Sequence, residues 1–246
     1  MKFTLLTTFL TSTLFFGCSN GQTKNNSISA TKQNKTMDNF EYSLKSAHPQ
    51  AQVLMKDEFY WSPIEETGPF GSDDGWDAAY GFRQWRLTNK TASPVSYLNE
   101  LIARWQYPYF DYNEMDTTKI KEYINKKEDL DEETIKQRIQ TLKDISKNSP
   151  DTSIKLDDNQ LREVVISSSN SMGSVYLLGQ DNAIIGTGFA QFVLEGRIDN
   201  DIKGLTITAI KRQLLPLLIN RYDNNYRDKR KDQLTKMLEV VNNVTL

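Results

Sequence analysis

Between Asp181 and Gly196, the apolar residues Ile185, Phe189, Phe192 and Val193 recur at helical spacing. Gly186, Thr187, Gly188 and Ala190, which lie among them, are all small. A helix built this way lets a neighbouring backbone approach closely, and Gly196 supplies the residue that closes it. The segment therefore belongs at the centre of a helical assembly, and the rest of the chain must be able to pack around it.

The remaining apolar pattern is mostly helical too. Pro49 suits a first helical turn and precedes an amphipathic stretch, Ala51 to Tyr60. A turn region from Ser62 to Gly71 follows. Ser72 then reads as an N-cap, with Asp73 and Asp74 in the first turn, where carboxylates favour the helix dipole. That helix is expected to run to about Leu87, with Ala78, Phe82 and Trp85 on one face. Ser93-Pro94 opens another, lined by Val95, Leu98, Leu101, Ile102 and Trp105. Residues 117–127 predict a short charged helix. Asp131 caps the next, with Leu130 and Ile135 placed for a hydrophobic staple, and Ile135, Ile139, Leu142 and Ile145 recurring behind it. Leu161, Val164 and Val165 suggest a further helix that ends or distorts in the Ser/Asn/Gly-rich run Ser167–Ser174. Val175 to Leu178 fits a short strand or a helical turn. Ile202 to Ile219 is periodic, but Pro216 must kink or split it. Leu234, Met237, Leu238 and Val241 mark the last helix. The expectation is an all-α fold, mainly helical, with seven to nine helices and little or no strand.

The N-terminal segment carries the clearest targeting signal. Lys2 is followed by an apolar, Thr-rich run to Phe16 and then Gly17-Cys18. The run is too short to span a bilayer comfortably and fits a secretory leader. Leu14-Phe15-Phe16-Gly17-Cys18 resembles a bacterial lipobox, with Phe15 where leucine is usual and Phe16 bulkier than usual. Residues 1–17 are thus expected to be a lipoprotein signal peptide, with Cys18 the lipidation site. The other readings are an ordinary secreted protein and an uncleaved anchor. Cys18 is the only cysteine, so an intramolecular disulfide is impossible. Residues 18–38 are polar and read as a disordered tether reaching roughly 25 Å, at ~5–6 Å × √n. Ser29-Ala30-Thr31-Lys32 matches S-x-x-K by chance, since no S-D-N or K-T-G follows. Residues 39–246 are expected to form a single helical domain. The location implied is the cell envelope, lipid-anchored, on its periplasmic or extracellular face.

One stretch has a familiar succession: Phe59-Tyr60-Trp61, then Gly68-Pro69-Phe70-Gly71-Ser72-Asp73-Asp74-Gly75-Trp76-Asp77, then Phe82-Arg83-Gln84-Trp85-Arg86. It resembles the YfeS-like family of uncharacterised bacterial proteins. Gly188 to Asp199 is similar to that family as well. The likeness covers roughly residues 40–112 and 180–240. It implies a helical fold and transfers no catalytic residue.

Chemistry-bearing groups are few. Glu65, Glu66, Asp73, Asp74 and Asp77 form an acidic cluster, with Asp73 and Asp77 on one helical face. Capping and turn closure explain these acids. A cation site or acid–base work are the other uses, although the spacing is not an EF-hand. All four tryptophans, Trp61, Trp76, Trp85 and Trp105, lie between residues 59 and 112. Tyr97, Tyr107, Tyr109, Phe110 and Tyr112 join them. Such a belt is a core, a partner surface or a glycan-stacking groove. Tyr107 to Tyr112 cannot place all its aromatics in one core. His48 is the only histidine and lies ahead of a helix, which leaves one possible base for any triad and excludes H-E-x-x-H zinc sites. There is no G-x-S-x-G, P-loop or G-x-G-x-x-G. Arg227, Lys229, Arg230 and Lys231 form a basic run that reads as a solvated helix start, with anionic lipid as the alternative. With 30 basic and 32 acidic side chains, no basic excess points to nucleic acid.

The reading that remains is a membrane-tethered lipoprotein with a binding or interaction domain, of the immunity or envelope-accessory type. Its partner surface would use Trp61, Glu66, Phe70, Asp73, Asp74, Trp76, Asp77, Tyr109 and Phe110. No catalytic residue, metal or cofactor is assigned. The alternative is a carboxylate-dependent hydrolase acting on an envelope glycan, which needs only two carboxyl groups.

Overall fold

The computed structural model describes residues 40–148, 156–170 and 172–244. Cys18, the leader and the tether lie outside them. The fold is all-α: ten α-helices, one 3-10 turn and no strand among the described residues. No helix among these residues is long and apolar enough to cross a membrane. They gather into two compact units, one of Tyr42–Glu128 with Asn170–Leu246, the other including Asp129–Ser169.

In the larger unit, local signals set where the helices begin. His48 precedes α1 (Pro49–Leu54), and its ring accepts the Gln50 N–H. A 3-10 turn at Glu58–Tyr60 follows. The Ser72 hydroxyl accepts from Gly75 N at 3.1 Å and starts α2 (Asp73–Thr88). Ser93 accepts from Val95 N and starts α3 (Pro94–Trp105), which buries Tyr97, Leu98, Leu101 and Ile102. Asp116 caps α4 (Thr117–Ile124). These are ordinary side-chain caps for donors that a first turn leaves open.

The smaller unit is a helical hairpin. Asp131 accepts from Thr134 N at 2.7 Å at the start of α5 (Glu132–Asn148). α6 (Asp158–Ser169) returns against it. Ile135, Leu142, Leu161 and Val165 form the core, with Leu130 and Ile139 packed on it. Glu132–Arg162 and Lys143–Asp158 pair the two helices in antiparallel order.

Back in the larger unit, α7 (Met172–Glu195) is buried along most of its length. α2, α3, α4 and α8 (Asn200–Gln213) all pack on it. Its small residues explain the crowding. A Cβ on Gly186 would stand 2.6 Å from the Gly75 carbonyl oxygen of α2, and one on Gly188 would strike the Thr206 hydroxyl of α8. Gly196 closes α7 with φ of 72°. The helix begins earlier than its periodicity suggests. Of the two readings of Val175–Leu178 the helical one holds: it is part of the same continuous helix, not a strand. Pro216 splits the next periodic stretch into α8 and α9 (Pro216–Ile219). Asp223 caps α10 (Asn224–Asn243), which packs on α8 and buries Leu234, Met237 and Val241.

Candidate functional site

The acidic turn and the first half of α2 hold most of the sequence-predicted residues. The turn is tight. Gly68 N donates to Glu65 O at 2.7 Å, and a Cβ at Gly71 would collide with the Glu65 backbone. Lys229 pairs with Glu65 at 2.5 Å, and Thr67 donates to the same side chain. Glu66 is exposed. Trp61 is half-buried, its indole N–H donating to Met55 O at 3.0 Å. Phe70 belongs to the core: it is 1% exposed and stacks on Tyr42 at 4.5 Å.

On α2 the three aspartates take different places. Asp73 and Asp77 are exposed, while Asp74 is half-buried and accepts from the Tyr107 hydroxyl at 3.1 Å. Burial pushes the Asp74 carboxyl up to about 6, against the Tyr107 hydrogen bond and helped by the charges of Asp73 and Asp77. Asp77 is raised by burial and then by Asp73. Burial and Asp74 together push the Tyr107 hydroxyl well above its ordinary value. None of these three carboxylates forms an ion pair with a cation among the described residues. Trp76, 37% exposed, lies against Tyr80 with ring centroids 4.0 Å apart. The helix thus presents Asp73, Trp76, Asp77 and Tyr80 along one face, at positions i, i+3, i+4 and i+7.

The segment after α3 divides its aromatics. Tyr109 is 89% exposed, whereas Phe110 is 7% exposed and packs on Tyr123 at 4.6 Å, with Arg212 over its ring at 5.2 Å. Tyr107 is tied to the α2 site through Asp74 and packs on Tyr176 at 4.9 Å. So Asp73, Trp76 and Asp77 share one exposed face of α2, while Asp74 turns to Tyr107. Phe70 and Phe110 serve packing. Among the described residues no group of three or more His, Cys, Asp or Glu side chains could hold a metal ion.

Three buried charges escape sequence reasoning. Asp181 on α7 and Arg212 on α8 are fully buried and paired. Burial raises the Asp181 carboxyl, and Arg212 opposes that rise. Arg230 belongs to the basic run that reads as a solvated helix start, yet it is 3% exposed. A signal for this is present in the chain: Arg230 lies four and seven residues before Leu234 and Met237, on the buried face of α10.

Arg86 clamps the far end of α2. Its NH1 donates to Ala92 O at 2.6 Å, and its Nε lies 2.7 Å from Glu195 at the end of α7. No family model matches this chain, and no curated protein or solved structure matches it either.

Proposed function

We propose that the chain is a membrane-tethered binding protein, lipid-anchored at Cys18 in the cell envelope, whose helical part recognises a protein partner bearing basic side chains. One observation carries the partner reading. The start of α2 sets Asp73, Asp74 and Asp77, none paired with a cation among the described residues, beside Trp76, whose ring lies tilted against Tyr80. Carboxylates steer Lys and Arg into place, and an exposed indole face adds cation–π attraction. The envelope part rests on the leader, Gly17-Cys18 and the polar tether. The two stretches that resemble the YfeS-like family meet through Arg86 and Glu195, which supports treating them as one functional block.

In-cell photo-crosslinking tests this directly. A photoreactive residue at Gln84, exposed and two turns along the face from Asp77, should capture one recurrent protein. The capture should vanish in the Asp73→Asn/Asp77→Asn double variant. No captured protein, or capture indifferent to the double variant, refutes the reading.

The hydrolase alternative has one feature in its favour, the Asp74 carboxyl poised at about 6. Against it, neither the cavity between α7, α8, α9 and α10 nor the one beside α1 is lined by Glu66, Asp73, Asp74 or Asp77. Turnover of envelope glycan fragments by the full chain, lost in Asp74→Asn, would reverse that preference.

A further inference from the structure

α7, α8, α9 and α10 contribute to a cavity of about 210 Å³ that shares no residue with the α2 surface. Leu177, Leu178 and Leu218 form its apolar wall, and Asp181, Arg221 and Arg230 bring its charges. Those charges do not balance. Asp181 is already neutralised by Arg212. Arg212 is itself well partnered: its Nε and NH2 donate to Asp181, and its NH1 donates to the carbonyls of Tyr112 and Glu114, each at 2.9 Å.

Arg230 bonds only to neutral partners. Its guanidinium donates to the Gln213 side-chain oxygen and lies 5.4 Å from the centre of the Tyr222 ring. The charge of Asp181 reaches Arg230 through space, but no carboxylate among the described residues forms an ion pair with it. Arg221 stands exposed at the rim, bonded to the Ser174 hydroxyl at 3.0 Å and likewise without a carboxylate. A guanidinium has five donors, so both arginines keep donors for a further acceptor. Burying one of them without a paired counter-charge is costly unless an anion completes it.

We propose that this cavity binds a small organic carboxylate, with its head on Arg230 and Arg221 and its hydrocarbon part against Leu177, Leu178 and Leu218. The planar fork of arginine matches a carboxylate. A cavity of about 210 Å³ suits a short chain or a single ring. Inorganic phosphate would satisfy the arginines and leave the apolar wall wet. A neutral alkyl compound would do the reverse.

The test uses the full chain in a non-ionic detergent, titrated calorimetrically with hexanoate, hexanol and inorganic phosphate. Hexanoate should bind at one site and raise the melting temperature. Hexanol and phosphate should do neither. Arg221→Gln should weaken hexanoate by about tenfold, the loss of one charge-assisted contact. Arg230→Gln should abolish binding, and Arg227→Gln on the same helix should leave it unchanged. If Arg230→Gln does not fold, Arg221→Gln carries the test alone. Absence of hexanoate binding, equal binding of hexanol or phosphate, or an unchanged Arg221→Gln would each overturn the proposal.

Discussion

Asp74 carries a carboxyl whose charged form burial disfavours. Its carboxyl titrates at about 6, above the ordinary 3.8, because the folded chain buries it beside two other aspartates. The folded state therefore holds the proton more tightly than the unfolded chain does. Stability from this group is fully present below about pH 3.8 and is lost as the pH rises through about 6. Asn in its place keeps an oxygen for the Tyr107 hydroxyl and removes the charge. Asp74→Asn should thus be more stable than wild type at pH 7 by about 1–2 kcal/mol, after discounting the shift for solvent relaxation. At acid pH the difference should disappear. Urea unfolding of both proteins at the two pH values reads this, since the other titrating groups cancel in the comparison. A variant less stable than wild type at pH 7 would show that the carboxylate is held for packing. A carboxylate retained at such a cost is what a binding or reactive surface requires.

At the scale of the element, α7 decides the architecture through residues that have almost no side chain. Gly186 faces the backbone of Gly75, so Gly186→Ala has nothing flexible to push aside and must drive α2 and α7 apart. The expected cost is ~1–3 kcal/mol, the range for overpacking. Gly204, inside α8, has open space within 4 Å of where a Cβ would stand, and Gly204→Ala should stabilise by ~0.5–1 kcal/mol through helix propensity. Thermal unfolding of the two variants separates close approach from propensity, and the contact account fails if both shift in the same direction.

Much of this was legible in the chain because caps and prolines act locally. Ser72, Ser93 and Asp131 start helices where their sequence neighbours say so, and Pro216 divides one. The first half of α7 was not legible, since Val175–Leu178 is a short apolar run that fits either period. The candidate site was half legible. Asp73 and Asp77 are exposed beside an exposed Trp76, yet Phe70 and Phe110 lie inside, because aromatic residues suit cores and surfaces equally well. Arg230 shows the remaining difficulty: a charge in a basic run looks solvated until its register on the buried face of α10 is counted.

For the molecule as a whole, the two compact units have cores of very different depth. The larger is threaded by α7 and closed by the buried Asp181–Arg212 pair. The smaller rests on Ile135, Leu142, Leu161 and Val165, and its ion pairs Glu132–Arg162 and Lys143–Asp158 are largely solvent-exposed. Exposed pairs contribute about 0–1 kcal/mol each, and a two-helix core is small. Local opening free energies follow burial, so α5 and α6 should exchange their amide hydrogens through an opening several kcal/mol easier than that of α7. Native-state exchange in rising denaturant measures this helix by helix. Residues 183–193 of α7 should exchange only by global unfolding, with a steep denaturant dependence, and α5 with a shallow one. Equal opening energies and equal slopes would mean that both cores break together. If the slopes differ as expected, a single unfolding free energy does not describe this chain. Stability effects of variants at the α2 surface and the arginine cavity must then be read from α7 exchange, because a melting curve would mix in the hairpin.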